Sequence, residues 1–499
     1  MAHSKFLENK LNNKLTGHFG TLLFCLIATF PNLVFAQAAT IVSEREPIVV
    51  YSEKDLNPKQ PGYAWTGSTL LQDIRVIDGM GNQPQTRQDV LVADGKIQAV
   101  GRTGSLNVPK DAKVINGDGL TVLPGLNEVH MHFQGGWRGA NDNGPRATEI
   151  KWQLLAMLYS GITHVFDTGG LTDNAADARD MVEAGAWMGP EVKFAGTMFE
   201  TASVGASGSN VIIPTANPAH IGGLLDAKKN IYGIEIVKCH AGTNSQVLRV
   251  LVAEAHKRDM RVMCDLWHNN GNPWIARQTH LDGYAHNSFM AVEPTERDAE
   301  ILRDEGVFVM STSVLWDTFA GTRFKQQGLD YVTSSPLITD VQPPHYIESA
   351  VNGGLEASLA NYDALSQAIL ADVTDPEVMR EQSIQWTKTM VDAGVLVGLG
   401  TDAPYAGVWV GESLHREMEI WVNESGISPI RTIQAVTHDN ARIMKIEDRT
   451  GSIQAGLEGD LLVVEGNPAE NISDTRNIRY IFTNGKLVDR DSLTRQWRF

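Results

Sequence analysis

Residues 126–132 read Leu126-Asn127-Glu128-Val129-His130-Met131-His132 and follow directly on Pro124-Gly125. Proline and glycine stop the short strand Thr121-Val122-Leu123, and a new strand opens behind them. On a strand, side chains two residues apart share a face, so His130 and His132 project together. Neutral imidazole is a ligand for zinc and similar ions. Two histidines alone are a weak signal. The stronger part is their place at the C-terminal end of a strand that begins an alternating pattern.

From Leu126 to about Val436 the pattern runs strand, helix, strand, helix. The strands are Leu126–His132, Ile162–Asp167, Val192–Ala195, Ile234–Cys239, Arg261–Asp265, Gly283–His286, Val307–Thr312 and Val395–Gly400. Helical stretches such as Asn244–Arg258 and Glu293–Glu305 lie between them. Eight such strands imply an α/β fold, a (β/α)8 TIM-like barrel with long loops. The longest insertion, about Leu315 to Glu381, contains Pro336, Pro343 and Pro344 and reads as a partly irregular lid.

Short strands flank this region. Leu70–Ile77 is one, and Asp89–Ala93, the Asp94-Gly95 turn and Lys96–Val100 form a hairpin. Gly459–Glu465 and Ile478–Val488 follow the last helical stretch, with Asn484-Gly485 as a tight turn. Strands on both sides of a barrel point to one small β-domain built from the two chain ends. The expected division is a signal peptide (1–36), an irregular lead-in (37–67), a composite β-domain (68–123 with 437–490), the barrel (124–436) and a tail (491–499).

The chain has 499 residues, a formal net charge of −17, 42% hydrophobic and 20% charged residues. That is the balance of an ordinary globular protein, and the acidic surplus argues against a nucleic-acid partner. Lys5, Lys10 and Lys14 precede the apolar run Thr21–Ala36, which is interrupted by Pro31 and Asn32. This reads as a cleavable secretory signal rather than a stable membrane insertion, and implies a secreted or periplasmic protein. Three cysteines exclude a disulfide framework. Cys239 and Cys264 remain after cleavage and sit in apolar runs, which fits buried thiols better than a bridge.

Four further positions at strand ends carry chemistry. Lys238 finishes Ile234-Glu235-Ile236-Val237. It is either a solvated lysine or one carboxylated by CO2, whose carboxylate would bridge two ions; a dry site favours the neutral, nucleophilic amine. His286 closes Gly283-Tyr284-Ala285 and is either a core histidine or a ligand. Asp402 follows Gly400-Thr401 and is either a cap or a group that binds metal and accepts a proton from an attacking water. At the fifth strand, Asp265 or His268 faces the metal, with Asp265 favoured because its backbone position needs no unusual turn. Trp137, Trp267, Trp274, Trp316 and Trp409 follow strand ends and either shape a substrate pocket or pack loops. Arg138 either binds a substrate carboxylate or is a surface arginine.

Together, Val122–Phe133, SGITHVFDTGG (160–170), the lysine strand, AEAHKRDMRVM (253–263), LDGYAH (281–286), GLGTDAP (398–404) and GSIQAGLEGDLLVVEGNP (451–468) resemble the amidohydrolase superfamily. The likeness is to its imidazolonepropionase-like and prolidase-like members, and it runs from Leu70 to Arg490. It implies a distorted barrel plus a small β-sandwich, and metal-assisted hydrolysis. It places His130, His132, Lys238, His286 and Asp402 on the family's metal positions, with one or two divalent ions, zinc being the expected one. Its substrates would be small amides, N-acyl amino acids, dipeptides or cyclic amides. Two residues depart from the pattern: Glu128 stands where the family has aspartate, and Asp265 where it has histidine. Other readings are a lactone, ester or other hydrolase on the same barrel, and a degenerate barrel that only binds a small molecule. The sequence leaves homo-oligomerisation open.

Overall fold

The computed structural model describes residues 62–133, 147–201, 212–215, 217–240, 242–265, 273–287, 295–360 and 376–494. The signal segment, most of the lead-in, Trp137, Arg138, Trp267, His268 and the last five residues lie outside the described residues.

The described residues open with six strands: β1 (Tyr63–Trp65), β2 (Thr69–Val76), β3 (Gln85–Ala93), β4 (Lys96–Arg102), β5 (Lys113–Asn116) and β6 (Leu120–Pro124). Ten parallel-type strands follow. They are β7 (Leu126–Met131), β8 (Ile162–Asp167), β9 (Glu191–Phe194), β10 (Met198–Glu200), β11 (Ile212–Pro214), β12 (Ile236–Cys239), β13 (Arg261–Cys264), β14 (Gly283–Tyr284), β15 (Phe308–Ser311) and β16 (Leu396–Leu399). The chain closes with β17 (Leu461–Glu465), β18 (Ile478–Thr483) and β19 (Lys486–Val488).

One sheet joins both chain ends, in the order β1-β19-β18-β17-β6-β2-β3-β4, with β5 beside β2. Its alternating positions Leu71, Val90, Val92, Val122, Leu461, Val463 and Phe482 form their own apolar core. Tyr63–Trp65, expected to be irregular, forms an antiparallel edge strand on β19. The Asp94-Gly95 and Asn484-Gly485 turns have positive φ at both residues (52° and 79°; 47° and 71°), as two-residue hairpin turns require.

The parallel strands form two sheets, β7-β8-β9 and β11-β10-β12-β13-β14-β15-β16. All six residues of β7 and of β8 are buried, the pattern of parallel strands covered on both faces. The sheets part where Glu191–Glu200 changes neighbour. Ala195 N still donates to Asp167 O on β8 (2.8 Å), whereas Phe199 pairs with Cys239 on β12. This break, and β10 and β11 beyond it, were not expected from hydrophobic pattern. At the other end the seam between β7 and β16 is tied by loop backbone, with Met131 bridging Ala403.

Helices alternate with these strands for local reasons. Asn244 caps Ser245–His256 by accepting from Val247 N (2.9 Å), and Thr295 with Asp298 makes a reciprocal capping box on Glu296–Asp304. The insertion expected as a partly irregular lid is largely a chain of short helices, from Ser313–Phe319 to Pro344–Ser349. Pro336 and Pro344 start helices rather than break them, because a first-turn N–H has no intrahelical acceptor to lose. Trp316 and Trp409 are buried, so they pack the interior and do not line an open mouth; Trp274 is exposed.

Cys239 and Cys264 correct the thiol expectation. They are register partners on adjacent parallel strands, with Cα atoms 4.6 Å apart, and they form a disulfide. Separate apolar runs in the sequence hide this, because only strand pairing brings their sulfurs together.

The two hairpin turns pack on each other through glycine. Gly459 N donates to Gly95 O (2.8 Å), and a Cβ on Gly485 would lie 2.8 Å from Gly95 Cα. Gly485→Ala therefore meets backbone as well as a left-handed φ. It is expected to lower stability by roughly 1–3 kcal/mol, read as a lower urea midpoint at unchanged slope. An unchanged midpoint would refute this account of the turn.

Candidate metal centre

The ends of β7 and β16 carry the first group of ligands. His130 O accepts from both Thr401 N (3.0 Å) and Asp402 N (2.7 Å), and His132 N donates to Ala403 O (2.8 Å). Glu128 reinforces this join: its Oε1 accepts from His130 N (3.0 Å) and Thr401 N (3.1 Å). Burial pushes the Glu128 carboxyl up to about 8 despite those bonds. Gly400 fits because a Cβ there would lie 2.5 Å from His130 Cβ. Asp402 adopts φ 60°, a left-handed conformation that costs roughly 1–3 kcal/mol in a residue with a Cβ.

This backbone brings His132 Nε2 to 2.8 Å and His130 Nε2 to 3.6 Å from Asp402 Oδ1, all buried. Lys238, at the third position of β12, is buried with Nζ 3.4 Å from His130 Nε2. The His286 ring lies 4.5 Å from that of His130, and His286 Nε2 is 3.4 Å from Asp265 Oδ2. His130, His132, Lys238, Asp265, His286 and Asp402 thus form one continuous buried group; His268, Trp137, Trp267 and Arg138 lie outside the described residues.

The donor chemistry fits a cation. His132 Nδ1 lies against Gly169 O, and a carbonyl can only accept, so Nδ1 carries the proton. In the neutral ring Nε2 then offers a lone pair, aimed at a carboxylate oxygen 2.8 Å away. Two lone pairs at that distance repel unless a positive charge lies between or beside them. His286 Nδ1 is likewise engaged, by Thr312 Oγ1 at 2.7 Å. Asp265 Oδ1 is buried without a hydrogen-bond partner among the described residues. Burial, then the Lys238 and His286 charges, push His130 well below the usual imidazole range, which keeps it a neutral ligand. Burial would raise Asp265, but His286, Lys238 and His240 outweigh it and bring it to about 2.

The pattern search missed His240 and Glu200. His240 Nδ1 is 3.1 Å from Glu200 Oε1, and its Nε2 is 3.9 Å from Asp265 Oδ2. The signal was available: Lys238-Cys239-His240 repeats the two-residue spacing of His130 and His132. Asn287, next to His286, donates to Thr387 Oγ1 (2.7 Å) and Ser383 Oγ (2.9 Å), anchoring that strand end. Nothing local in the sequence marks Thr312 or Asn287 for these tasks.

Comparison with known proteins identifies the family. The model of the amidohydrolase family matches residues 121–488. Ochratoxinase of Aspergillus niger is 21% identical over 476 residues, which cover 89% of each chain. Enamidase of Eubacterium barkeri is 30% identical over 103 residues, 20% of this chain and 25% of the enamidase. A Xaa-Pro dipeptidase with bound methionine superposes with a TM-score of 0.64 at 20% identity, covering 84% of this chain and 99% of its own. These neighbours imply a TIM-like barrel fold. With the match spanning most of the chain and the buried donor set in place, the chain belongs to the amidohydrolase family, metal-dependent hydrolases of carbon–nitrogen bonds.

Proposed function

We propose that this chain is a secreted or periplasmic amidohydrolase that cleaves the amide bond of a small molecule, such as an N-acyl amino acid, a dipeptide or a cyclic amide. The observation that carries the reading is the approach of His132 Nε2 to Asp402 Oδ1 at 2.8 Å inside a buried set completed by His130, Lys238, Asp265 and His286. The names of its relatives, an ochratoxinase and a Xaa-Pro dipeptidase, support an amide substrate. In this reading the two parallel sheets are parts of one (β/α)8 barrel (124–436), and 68–123 with 437–490 form a β-sandwich.

One or two divalent ions, zinc being the expected one, would be held by His130, His132, Lys238, Asp265, His286 and Asp402. A metal there polarises the scissile carbonyl and lowers the pKa of water to ~7. Asp402 accepts the proton of the attacking water as its oxygen bonds the carbonyl carbon. The same carboxyl then gives that proton to the leaving nitrogen as the C–N bond breaks, so the amine departs neutral. Glu128 keeps the His130 and Thr401 backbones in register throughout. Lys238 Nζ would add to CO2, losing a proton and forming a carbamate whose oxygens would offer a carboxylate ligand to the metal. Glu200 holds His240, whose Nε2 lies 3.9 Å from the same Asp265 Oδ2 that His286 approaches.

The basic start and the apolar run Thr21–Ala36 support export. Among the described residues no helix is long and apolar enough to cross a membrane. N-terminal sequencing of protein from an exporting host is expected to begin near Gln37; an intact Met1 would sink the export reading.

Asp402→Asn keeps the shape but cannot take the proton. It is expected to lower kcat by ~10²–10⁴-fold with a much smaller change in KM. Activity within a fewfold of wild type would remove Asp402 from the chemistry. Metal analysis of Lys238→Ala, Asp265→Ala and His268→Ala tests the ligand set separately from turnover. Lys238→Ala and Asp265→Ala are each expected to lose metal and His268→Ala to retain it. Loss confined to His268→Ala would show that the wrong fifth-strand ligand was chosen.

A further inference from the structure

A second set of metal-type donors lies where β8 and β9 meet the segment leading into β17. His164 is the third residue of β8, Glu191 the first of β9, and Glu458 and Asp460 immediately precede β17. His164 Nε2 is 3.9 Å from Glu191 Oε2, 3.9 Å from Glu458 Oε2 and 3.9 Å from Asp460 Oδ2. The histidine, Glu191 and Glu458 donor atoms all fall within 4.8 Å of one another. None of the three carboxylate oxygens is close enough to His164 Nε2 for a hydrogen bond.

The surroundings turn these atoms inward. Arg449 takes Oε1 of Glu191 (2.6 Å) and Oε1 of Glu458, leaving both Oε2 atoms toward His164. A weaker Arg449 contact to Glu191 Oε2 (3.3 Å) remains. Asp460 Oδ1 is taken by Asn484 N (2.6 Å), which leaves Oδ2 facing the histidine. On the far side of the ring, Thr163 Oγ1 lies 3.1 Å from His164 Nδ1 and donates to Leu126 O (3.5 Å). In the tautomer that carries its proton on Nδ1, the Thr163 hydroxyl accepts from Nδ1–H and keeps its own proton on Leu126 O. In that tautomer Nε2 of the neutral ring is an unprotonated lone pair, and the His164 side chain is only 3% exposed.

In that tautomer a buried lone pair faces three carboxylate oxygens, a repulsive arrangement that a cation relieves. Zinc–nitrogen and zinc–oxygen bonds are about 2.0–2.2 Å, so two donors on one ion stand roughly 3.3–4.2 Å apart, and His164 Nε2 stands 3.9 Å from each of the three carboxylate oxygens. We propose that His164, Asp460, Glu458 and Glu191 bind a divalent cation of the zinc or manganese class, separate from the catalytic centre, that joins β8 and β9 to the strand sheet of the chain ends. Arg449 orients the two glutamates and is not displaced. The imidazole selects against calcium and magnesium, which prefer an all-oxygen shell.

The test is metal stoichiometry on the full chain, stripped with a chelator and reloaded with zinc alone or manganese alone. Asp460→Asn retains the Oδ1 acceptor for Asn484 N and replaces only the inward oxygen; Glu458→Gln does the same at its position. Each variant is expected to lose one metal equivalent relative to wild type. That loss should add to the loss caused by His130→Ala with His132→Ala. The double histidine variant, in which this cluster is intact, provides a second measurement if the cluster variants do not fold. It is expected still to bind one equivalent and to unfold at a higher temperature with zinc than without. Folded Asp460→Asn and Glu458→Gln with wild-type metal content would overturn the proposal. So would a double histidine variant that binds no metal, which would leave the cluster as a protonated-histidine clamp or a water site.

Discussion

The join between β7 and the loop after β16 is the constraint on which the site depends. One carbonyl, His130 O, receives two N–H groups from Thr401 and Asp402, and one carboxylate, Glu128, receives N–H groups from both sides of the same join. Because these bonds lie in a buried place, they cannot be exchanged for water, and losing one leaves a buried donor unsatisfied at a cost of about 1–3 kcal/mol. The left-handed turn at Asp402 persists because these bonds over-determine it. Its carboxylate is thereby held against two imidazoles instead of capping the loop that follows. Gly400 belongs to the same constraint, since any side chain there would push His130 away.

A second regularity concerns tautomers. His132 and His286 each have Nδ1 engaged by a neutral group, Gly169 O and Thr312 Oγ1, and turn Nε2 toward carboxylates. His164 repeats the arrangement with Thr163 and Asp460. Such partners fix the ring and raise its basicity as a ligand. In a dry interior, an imidazole nitrogen turned toward a carboxylate is stabilised by a cation or by a proton on that nitrogen, so the same argument applies in the centre of the parallel strands and at their seam with the other sheet.

The alternation of strand and helix, the Asp94-Gly95 and Asn484-Gly485 turns, and the buried character of β7, β8 and β12 were all legible, because each rests on local pattern and local φ. His130, His132, Lys238, His286 and Asp402 were legible as strand-end residues of the right chemical type. What escaped has a common cause. The break between the two parallel sheets, the Cys239–Cys264 bridge, the burial of Trp316 and Trp409 and the partners Thr312, Asn287 and Glu200 all depend on which distant segments become neighbours. Hydrophobic period cannot report that.

By itself, then, the sequence determined the elements, the order in which they occur and the kinds of donor at their ends. Side-chain alternation and turn chemistry act over two to four residues and need no partner to be read. Only the tertiary structure decided which donors share a space. Asp265 is set against His286 and His240, Asp402 against His132, and His164 against residues almost three hundred positions later in the chain. Metal-type chemistry requires several atoms within a few ångströms of one point, and that proximity arises from the packing of strands and sheets that the chain separates by hundreds of residues.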